Sequence, residues 1–267
     1  VILFLAGTFY DFFINQLLEF IDWSFRKKHG TEVPKELEGH VDSEKLKQVC
    51  AYEDAKYFFW IPKNIVNLAI SLVLVLSGFY VWVFNLSWDW TSNVYLTILL
   101  FVFLSSIPST VLMIPFKLYR EFKIEKKFGF SNMTLKMYIL DSIKETLVSL
   151  LIAVPLILAA VAFIGHFEKL WWLYFGLVYL AIALGLSYVY PIWVAPLFNK
   201  FVPLEDGELK EKIEVLFEKT GFKTSGIFTM DASKRSNHSN AYFTGLGKNK
   251  RIVLYDTLVN QLTTEEV

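Results

Sequence analysis

The chain is organised around the stretch Ser233-Lys-Arg-Ser-Asn-His-Ser-Asn-Ala-Tyr-Phe-Thr-Gly245, followed after a short connection by Lys250-Arg-Ile-Val-Leu-Tyr-Asp-Thr-Leu258. Ala241–Thr244 and Ile252–Tyr255 are rich in β-branched and aromatic residues, which favour β-strands. Between them, Gly245–Lys250 contains glycine and asparagine, the residue types that tight turns need for a positive φ angle. The pattern predicts a β-hairpin.

The composition indicates a membrane protein. Hydrophobic residues make up 54% of the 267 residues and charged residues 19%, less than the ~25% that is typical of globular chains. The formal net charge is zero, so no basic surplus favours nucleic acid as a partner. A single cysteine, Cys50, excludes an intrachain disulfide framework.

Five apolar stretches approach or exceed the ~20 residues that a helix needs to cross a bilayer. None of the 26 Lys and Arg residues lies inside them, as expected of spanning helices. We therefore predict all-α multi-pass membrane helices, five in this chain, within a membrane domain over residues 1–198. The predicted crossings are Val1–Ile21, Ile65–Leu86, Val94–Phe116, Leu147–Gly165 and Trp171–Val194.

The positions of the basic residues also predict an orientation. Lys and Arg concentrate after the first, third and fifth crossings, whereas Ser87–Asn93 has none and His166–Leu170 has only Lys169. Because basic loops stay in the cytoplasm, we expect these two connections on the far side of the membrane. The C-terminal part, including the hairpin, is then cytoplasmic.

The first crossing carries a polar face. Asp11, Asn15 and Glu19 repeat every four residues, so they share one side of a helix. A carboxylate at membrane depth is costly, and these residues should therefore face protein or water. One interpretation is hydrogen bonding between helices, worth ~0.6 kcal/mol per contact. The other is a polar lining of a water-filled chamber, and the residues alone leave both open.

The segment after the last crossing predicts further elements. Asp206 is placed to cap a helix over Glu208–Thr220 that Gly221 ends, and Gly226–Asp231 predicts a strand. Thr263–Glu266 matches a capping box, which predicts another helix start. The helix over Glu208–Thr220 should bury an apolar stripe of Leu209, Ile213, Leu216 and Phe217.

The organising stretch closely resembles the segment just before the zinc-binding helix in the CAAX prenyl protease 1 family of integral-membrane zinc endopeptidases. Phe122–Ser131 resembles the same family, as does Asp141 with Lys144. The resemblance implies that residues 199–267 open a small α+β, zincin-like catalytic domain that faces the cytoplasm. It also implies a zinc cofactor.

The resemblance implies a function in membrane proteolysis. Such an enzyme cuts peptide bonds near the C-terminus of prenylated proteins at the endoplasmic reticulum, or serves membrane-protein quality control in a bacterial inner membrane. Its partners would be the lipid bilayer and a peptide or prenylated protein, with no nucleic acid.

The same resemblance implies a substrate-binding segment in Ser239, Asn240, Ala241 and Tyr242. Asn240 and Ala241 would approach the substrate backbone, in the way that an extended peptide adds to a sheet edge. The residues alone also allow a structural role, in which Asn240 satisfies a turn and Tyr242 packs.

The zinc ligands are not evident in this sequence. Two histidines on one helix face, as in H-E-x-x-H, are the usual arrangement, but no histidine pair here has that spacing. The four histidines are His29, His40, His166 and His238. The resemblance implies that the ligands and the catalytic glutamate lie beyond Val267, so we expect no catalytic or metal-binding residue, and no activity, in this chain alone.

Two other classes of function stay open. In a transporter or channel, Asp11 and Glu19 would be pathway residues, although no inverted repeat is visible. A non-catalytic membrane scaffold is the third possibility. The discriminating observation is an H-E-x-x-H motif within about one helix of Val267 in the full-length protein.

The predicted orientation can be tested by cysteine labelling. In a Cys50→Ser background, Asn93→Cys and Asn249→Cys should react with a membrane-impermeant maleimide from opposite sides of sealed vesicles, because the charge distribution places them on opposite faces. Labelling of both positions from the same side would contradict the predicted topology. Solubilised protein, in which both cysteines should react, provides the control.

Overall fold

The computed structural model describes residues 2–35, 38–39, 42–167, 169–221, 224–245 and 250–267. The chain divides into two compact units, Val1–Phe128 and Gly129–Val267. Of the four histidines considered above, His40 lies outside the described residues.

The first unit is helical. Its helices are α1 (Ile2–His29), α2 (Ser43–Leu76), α3 (Phe79–Thr91) and α4 (Val94–Tyr119), which continues into a π-helical turn at Arg120–Glu125. The Asp42 side chain caps α2 by accepting a hydrogen bond from the Lys45 N–H at 2.6 Å. The Asn93 side chain caps α4 in the same way. Helices α1 and α2 pack through Trp23, which stacks on Tyr57 with 5.5 Å between ring centroids.

The second predicted crossing is wrong as a continuous helix. Within Ile65–Leu86, α2 ends at Leu76 and α3 begins at Phe79. The break occurs because Gly78 adopts a φ of +75°, a left-handed conformation that ends helices and that glycine tolerates best. The predicted crossing includes this glycine because the residues on both sides of it are apolar.

The second unit begins with two long helices. Helix α5 (Leu135–His166) contains the predicted Leu147–Gly165 crossing but starts earlier, where the Thr134 side chain accepts a hydrogen bond from the Met137 N–H at 3.2 Å. Helix α6 (Trp171–Val189) is followed by a π-helical turn at Tyr190–Val194 and a 3₁₀ turn. The early start of α5 brings Asp141 and Lys144 into a helix.

In the described residues, four helical segments are long and apolar enough to cross a membrane: Ser43–Leu76, Val94–Glu125, Leu135–His166 and Trp171–Leu197. Helix α1, which carries the polar residues Asp11, Asn15 and Glu19, is not among them. The chain therefore has the helices of a multi-pass membrane protein, but the count of five crossings is not confirmed.

A small mixed sheet follows these helices. Its strands are β1 (Phe201–Pro203), β2 (Ile227–Met230), β3 (Ala241–Thr244) and β4 (Arg251–Tyr255), in the order β1-β2-β4-β3. Strands β2 and β4 are parallel and the other pairs antiparallel. The predicted hairpin is confirmed as β3 and β4, and residues 246–249 of its connection lie outside the described residues.

Both faces of the sheet are packed. On one face, Ile227, Ile252 and Leu254 form a cluster against Leu209, Ile213 and Phe217 of helix α7 (Glu208–Thr220). On the other face, Val253 is fully buried beside Met230 and Ala232. The alternation along β4 places successive side chains on opposite faces, which is why so short a strand contributes to two cores.

Helix α7 has the predicted bounds, but two details of the prediction are wrong. Leu216 is 56% exposed and lies outside the apolar stripe. Asp206 does not cap the helix; Gly207 occupies that position, and the Asp206 carboxylate pairs with Lys210 at 2.6 Å. Lys210 lies one turn into the helix, and its ammonium binds the Asp206 carboxylate in place of the backbone N–H groups at the helix start.

The chain continues through a short helix α8 (Asp256–Gln261) to the predicted capping box. The Glu266 carboxylate accepts hydrogen bonds from the Thr263 N–H and hydroxyl, both at 2.8 Å. The N–H contact is one half of the predicted capping box, but the Thr263 hydroxyl donates to Glu266 where a capping box would have it accept from the Glu266 N–H. Residues 264–266 form a turn, so the predicted helix start is not seen in the described residues. The hydrogen bond from the Thr263 backbone N–H, and after it the one from the Thr263 hydroxyl, lower the pKa of the Glu266 carboxyl.

Val253 offers a test of the two-sided core. Val253→Ala should lower the free energy of unfolding by about 2 kcal/mol, because it removes buried methyl groups and leaves a cavity. The control is Val202→Ala on β1, where the side chain is 56% exposed and the loss should stay under about 0.5 kcal/mol. Equal losses in denaturant titrations of the two detergent-solubilised variants would contradict this packing.

Candidate substrate-binding edge

Strand β3 forms one edge of the sheet, since it pairs only with β4 in the described sheet order. Ala241 lies opposite Leu254, and Phe243 lies opposite Ile252. Both Ala241 and Phe243 are exposed, with 68% of Phe243 accessible. The predicted segment is thus positioned where an extended peptide can approach.

The main-chain hydrogen bond of Asn240 establishes which groups of β3 face β4 and which face the open edge. Its carbonyl accepts a hydrogen bond from the Tyr255 N–H at 3.0 Å. In an antiparallel ladder the inward and outward main-chain groups alternate, so those of Ala241 point away from β4. The Asn240 side-chain oxygen accepts from the Ala241 N–H at 2.8 Å. Its amide therefore lies directly at the open edge.

Tyr242 turns to the opposite face and packs into the sheet. Its ring lies edge-on to Tyr255, with centroids 6.2 Å apart, and its hydroxyl is 3.9 Å from the Met230 sulfur. Burial raises the pKa of the Tyr242 phenol to about 12, so the hydroxyl is protonated at neutral pH. The ring contributes to the core beneath the edge.

Helix α8 holds the loop that leads into β3. The Thr257 hydroxyl donates to the His238 carbonyl at 2.9 Å, and the Ser239 hydroxyl donates to the Gln261 side chain. The Asp256 carboxylate accepts from the Ser233 N–H at 2.9 Å. The two halves of the organising stretch are therefore joined by side chains as well as by strand pairing.

A distant segment supports the same loop. The Asn132 N–H donates to the Arg235 carbonyl and the Asn237 N–H donates to the Phe130 carbonyl, each at 2.9 Å. His238 stacks on Phe130 with 4.1 Å between ring centroids. Two of the segments that carried the family resemblance thus contact each other. His238 acts here as an aromatic neighbour.

Arg235 connects the loop to helix α5 through a partly buried ion pair. Its Nε and Nη2 donate to the two Asp141 carboxylate oxygens at 2.7 and 3.2 Å, and its Nη1 donates to the Asn199 side chain at 3.0 Å. Asp141 is 8% exposed. The two-point geometry fixes the orientation of both side chains.

Sequence reasoning missed this ion pair. Arg235 stands beside Lys234 in the sequence, but only Lys234 is an exposed basic residue, paired with Asp231 at the surface. The available signal was Asp141 itself, because a carboxylate near an apolar helix needs a partner.

Arg251 of β4 makes a second connection to a long helix. Its Nη1 donates to the Pro191 carbonyl at 3.3 Å, just after α6, and its guanidinium lies 5.0 Å from the centre of the Phe228 ring. The Lys144 ammonium donates to the Leu197 carbonyl at 2.9 Å. Arg251 therefore joins the sheet to the turn after α6, and Lys144 joins α5 to the 3₁₀ turn that follows it.

The three polar residues predicted to share one face of the first crossing lie in helix α1, four residues apart. The Asn15 amide donates to the Asp11 carbonyl at 2.8 Å and to its carboxylate at 2.9 Å. Asp11 and Asn15 are exposed, and Glu19 is partly buried. Their role in lining a chamber stays a prediction.

The described residues bring no three His, Cys, Asp or Glu side chains together in a group that could hold a metal ion.

The comparisons with known proteins agree with the membrane helices. Residues 23–200 match a family described as CAAX prenyl protease N-terminal, five membrane helices, and residues 203–267 match peptidase family M48. The first match begins after most of α1. It therefore does not identify its five helices with the five crossings predicted here.

Similar proteins come from distant eukaryotes. CAAX prenyl protease 1 of Saccharomyces cerevisiae is 36% identical over 91% of this chain and 56% of its own length. The homologue of Homo sapiens is 34% identical over 88% of this chain and 51% of its own length. The crystal structure of S. mikatae Ste24p has a TM-score of 0.88 at 35% identity, covering 98% of this chain and 62% of that one.

These matches define a membrane-embedded member of the M48 peptidases. More narrowly, the chain belongs to the CAAX prenyl protease 1 family. It spans about half to three-fifths of the length of the relatives it matches.

The Arg235–Asp141 pair can be tested with neighbouring substitutions. Arg235→Gln should lower the free energy of unfolding by about 3 kcal/mol, because it leaves a buried carboxylate without its main partner. Lys234→Gln, which removes an adjacent exposed charge, should cost under about 1 kcal/mol. Denaturant titrations check both values, and similar losses in the two variants would rule out a special role for Arg235.

Proposed function

We propose that the full-length protein is a membrane zinc endopeptidase that cleaves peptide bonds near the C-terminus of prenylated proteins. Family membership and the names of its relatives support this function. The observation that carries the proposal for this chain is the exposed edge strand β3, which continues directly from Asn240. Because the chain covers only part of its relatives' length, the activity is proposed for the whole protein.

The substrate binds by adding a strand to β3. A peptide laid along Ala241–Thr244 forms main-chain hydrogen bonds with the outward groups of the edge, which are independent of the peptide's side chains. Asn240 offers its side-chain amide beside the first outward position, since its oxygen already accepts from Ala241. Ser239 and Tyr242 support the edge through α8 and the core.

The zinc ligands and the catalytic glutamate belong, in this proposal, to the part of the full-length protein outside residues 1–267. Two observations support this assignment: the sequence has no H-E-x-x-H motif, and the described residues hold no three-ligand group. In this division of roles, residues 1–198 are the membrane domain, and residues 199–267 position the peptide.

The proposed compartment is the endoplasmic reticulum membrane, with the sheet and its edge facing the cytoplasm. The basic residues after the first, third and fifth apolar stretches support the orientation. Eukaryotic relatives support the compartment over a bacterial inner membrane. The polar face of Asp11, Asn15 and Glu19 would give a water-accessible path beside the lipid-soluble prenyl group.

Asn240 tests the binding edge. In the full-length enzyme, Asn240→Ala should lower kcat/KM for a prenylated peptide about tenfold or more, as expected from losing one hydrogen bond to the substrate. Asn240→Asp is the matched control for folding, because it keeps the oxygen that accepts from Ala241. It should retain the stability of the parent but share the loss of activity. Parental kcat/KM in a stable Asn240→Ala variant would return Asn240 to a structural role.

Metal content tests the division of roles. The purified full-length protein should contain about one zinc per chain by elemental analysis and show chelator-sensitive peptidase activity. Residues 1–267 expressed alone should show neither property. Stoichiometric zinc with activity in the shorter chain would contradict the assignment of the ligands to the remaining part.

A further inference from the structure

The first unit contains a cavity of about 820 Å³ between α2 and the end of α4. Phe58, Phe59 and Pro62 of α2 line one side of it, and Pro115 and Phe116 of α4 line the other. Phe59 contacts Phe116 with 6.0 Å between ring centroids. All of these residues lie in helices that are long and apolar enough to span a membrane.

The cavity changes character along its length. Lys123 and Lys127 also line it, on and just after the π-helical turn that follows α4. Pro115 and Lys123 are separated by ~12 Å along the helix axis, at 1.5 Å per residue. The apolar walls thus lie in the membrane-spanning part, and the lysines lie where the basic loop begins.

The two lysines are available to an anion. Both side chains are exposed, and within the residues that the structure describes neither ammonium forms an ion pair with a carboxylate. The nearby carboxylate of Glu125 is already engaged. It accepts a hydrogen bond from the Tyr52 hydroxyl at 2.8 Å and lies 3.4 Å from the Arg120 Nε.

We propose that this cavity binds an anionic phospholipid, with an acyl chain between α2 and α4 and its phosphate on Lys123 and Lys127. Basic pockets between spanning helices at the cytoplasmic surface recognise anionic headgroups by this combination of features. The apolar walls accept the acyl chain, and the two ammonium groups select phosphate of net negative charge over a zwitterionic headgroup. The site would make the protein responsive to the charge of the surrounding leaflet.

Binding can be measured on full-length protein in detergent by native mass spectrometry with phosphatidylglycerol, and with phosphatidylcholine of the same acyl chains. The double variant Lys123→Gln, Lys127→Gln should weaken phosphatidylglycerol binding about 25-fold, at roughly fivefold for each lysine. Phosphatidylcholine binding should not change. Lys126→Gln, an exposed neighbour that does not line the cavity, is the matched control and should bind as the parent does.

A second pair of variants tests the acyl-chain part without altering charge. Ala55→Trp fills the cavity and should reduce binding of both lipids, whereas Ala51→Trp, on an exposed position of the same helix, should leave binding unchanged. Each variant is compared only if its thermal unfolding matches the parent. If Ala55→Trp does not fold, the lysine variants decide the question.

The outcomes separate the possible ligands. Unchanged phosphatidylglycerol binding in the double lysine variant, or an equal loss in Lys126→Gln, would overturn the proposal. Inorganic phosphate that displaces the lipid at millimolar concentration would indicate a simple anion site and overturn it too. Stoichiometric displacement by a farnesylated peptide would assign the cavity to the substrate instead.

Discussion

The ion pair between Arg235 and Asp141 is the interaction on which the second unit depends. Two hydrogen bonds at 2.7 and 3.2 Å join the guanidinium to a carboxylate that is 8% exposed, and a third joins it to Asn199. Burying the Asp141 carboxylate costs desolvation free energy, and good geometry with several hydrogen bonds is needed to offset it. The main effect of the pair is therefore to fix the position of the loop before β3 against helix α5, and its net contribution to stability is smaller.

This arrangement fixes the position of the proposed binding edge. The loop that contains Arg235 is also hydrogen-bonded to Phe130 and Asn132 and, from the other side, to Asp256 and Thr257 of α8. Contacts from three parts of the chain fix the loop, so Asn240 enters β3 in one conformation. A strand that binds a peptide through its main chain needs such preorganisation, because each mobile residue would lose entropy on binding.

In the first unit, the departures from a uniform apolar helix are the informative features. Gly78 ends α2 in a left-handed conformation, and Asp11, Asn15 and Glu19 interrupt the hydropathy of α1. At the end of α4, the sequence changes from apolar to basic within a few residues, and this change gives the cavity beside α2 its two chemical ends. Each feature has a cost in a membrane environment, which makes it a candidate for function.

The sequence by itself determined the local elements: the hairpin of β3 and β4, the bounds of α7, and the multi-pass helical character. These follow from nearest-neighbour patterns, turn chemistry and hydropathy, which act over a few residues. Only the tertiary structure decided that Leu216 is exposed and that Arg235 pairs with Asp141. Such outcomes depend on which residues the fold brings together from up to 94 positions apart. A partly buried ion pair has no periodic signature along the chain, because its two partners meet only after the helices and the sheet have packed.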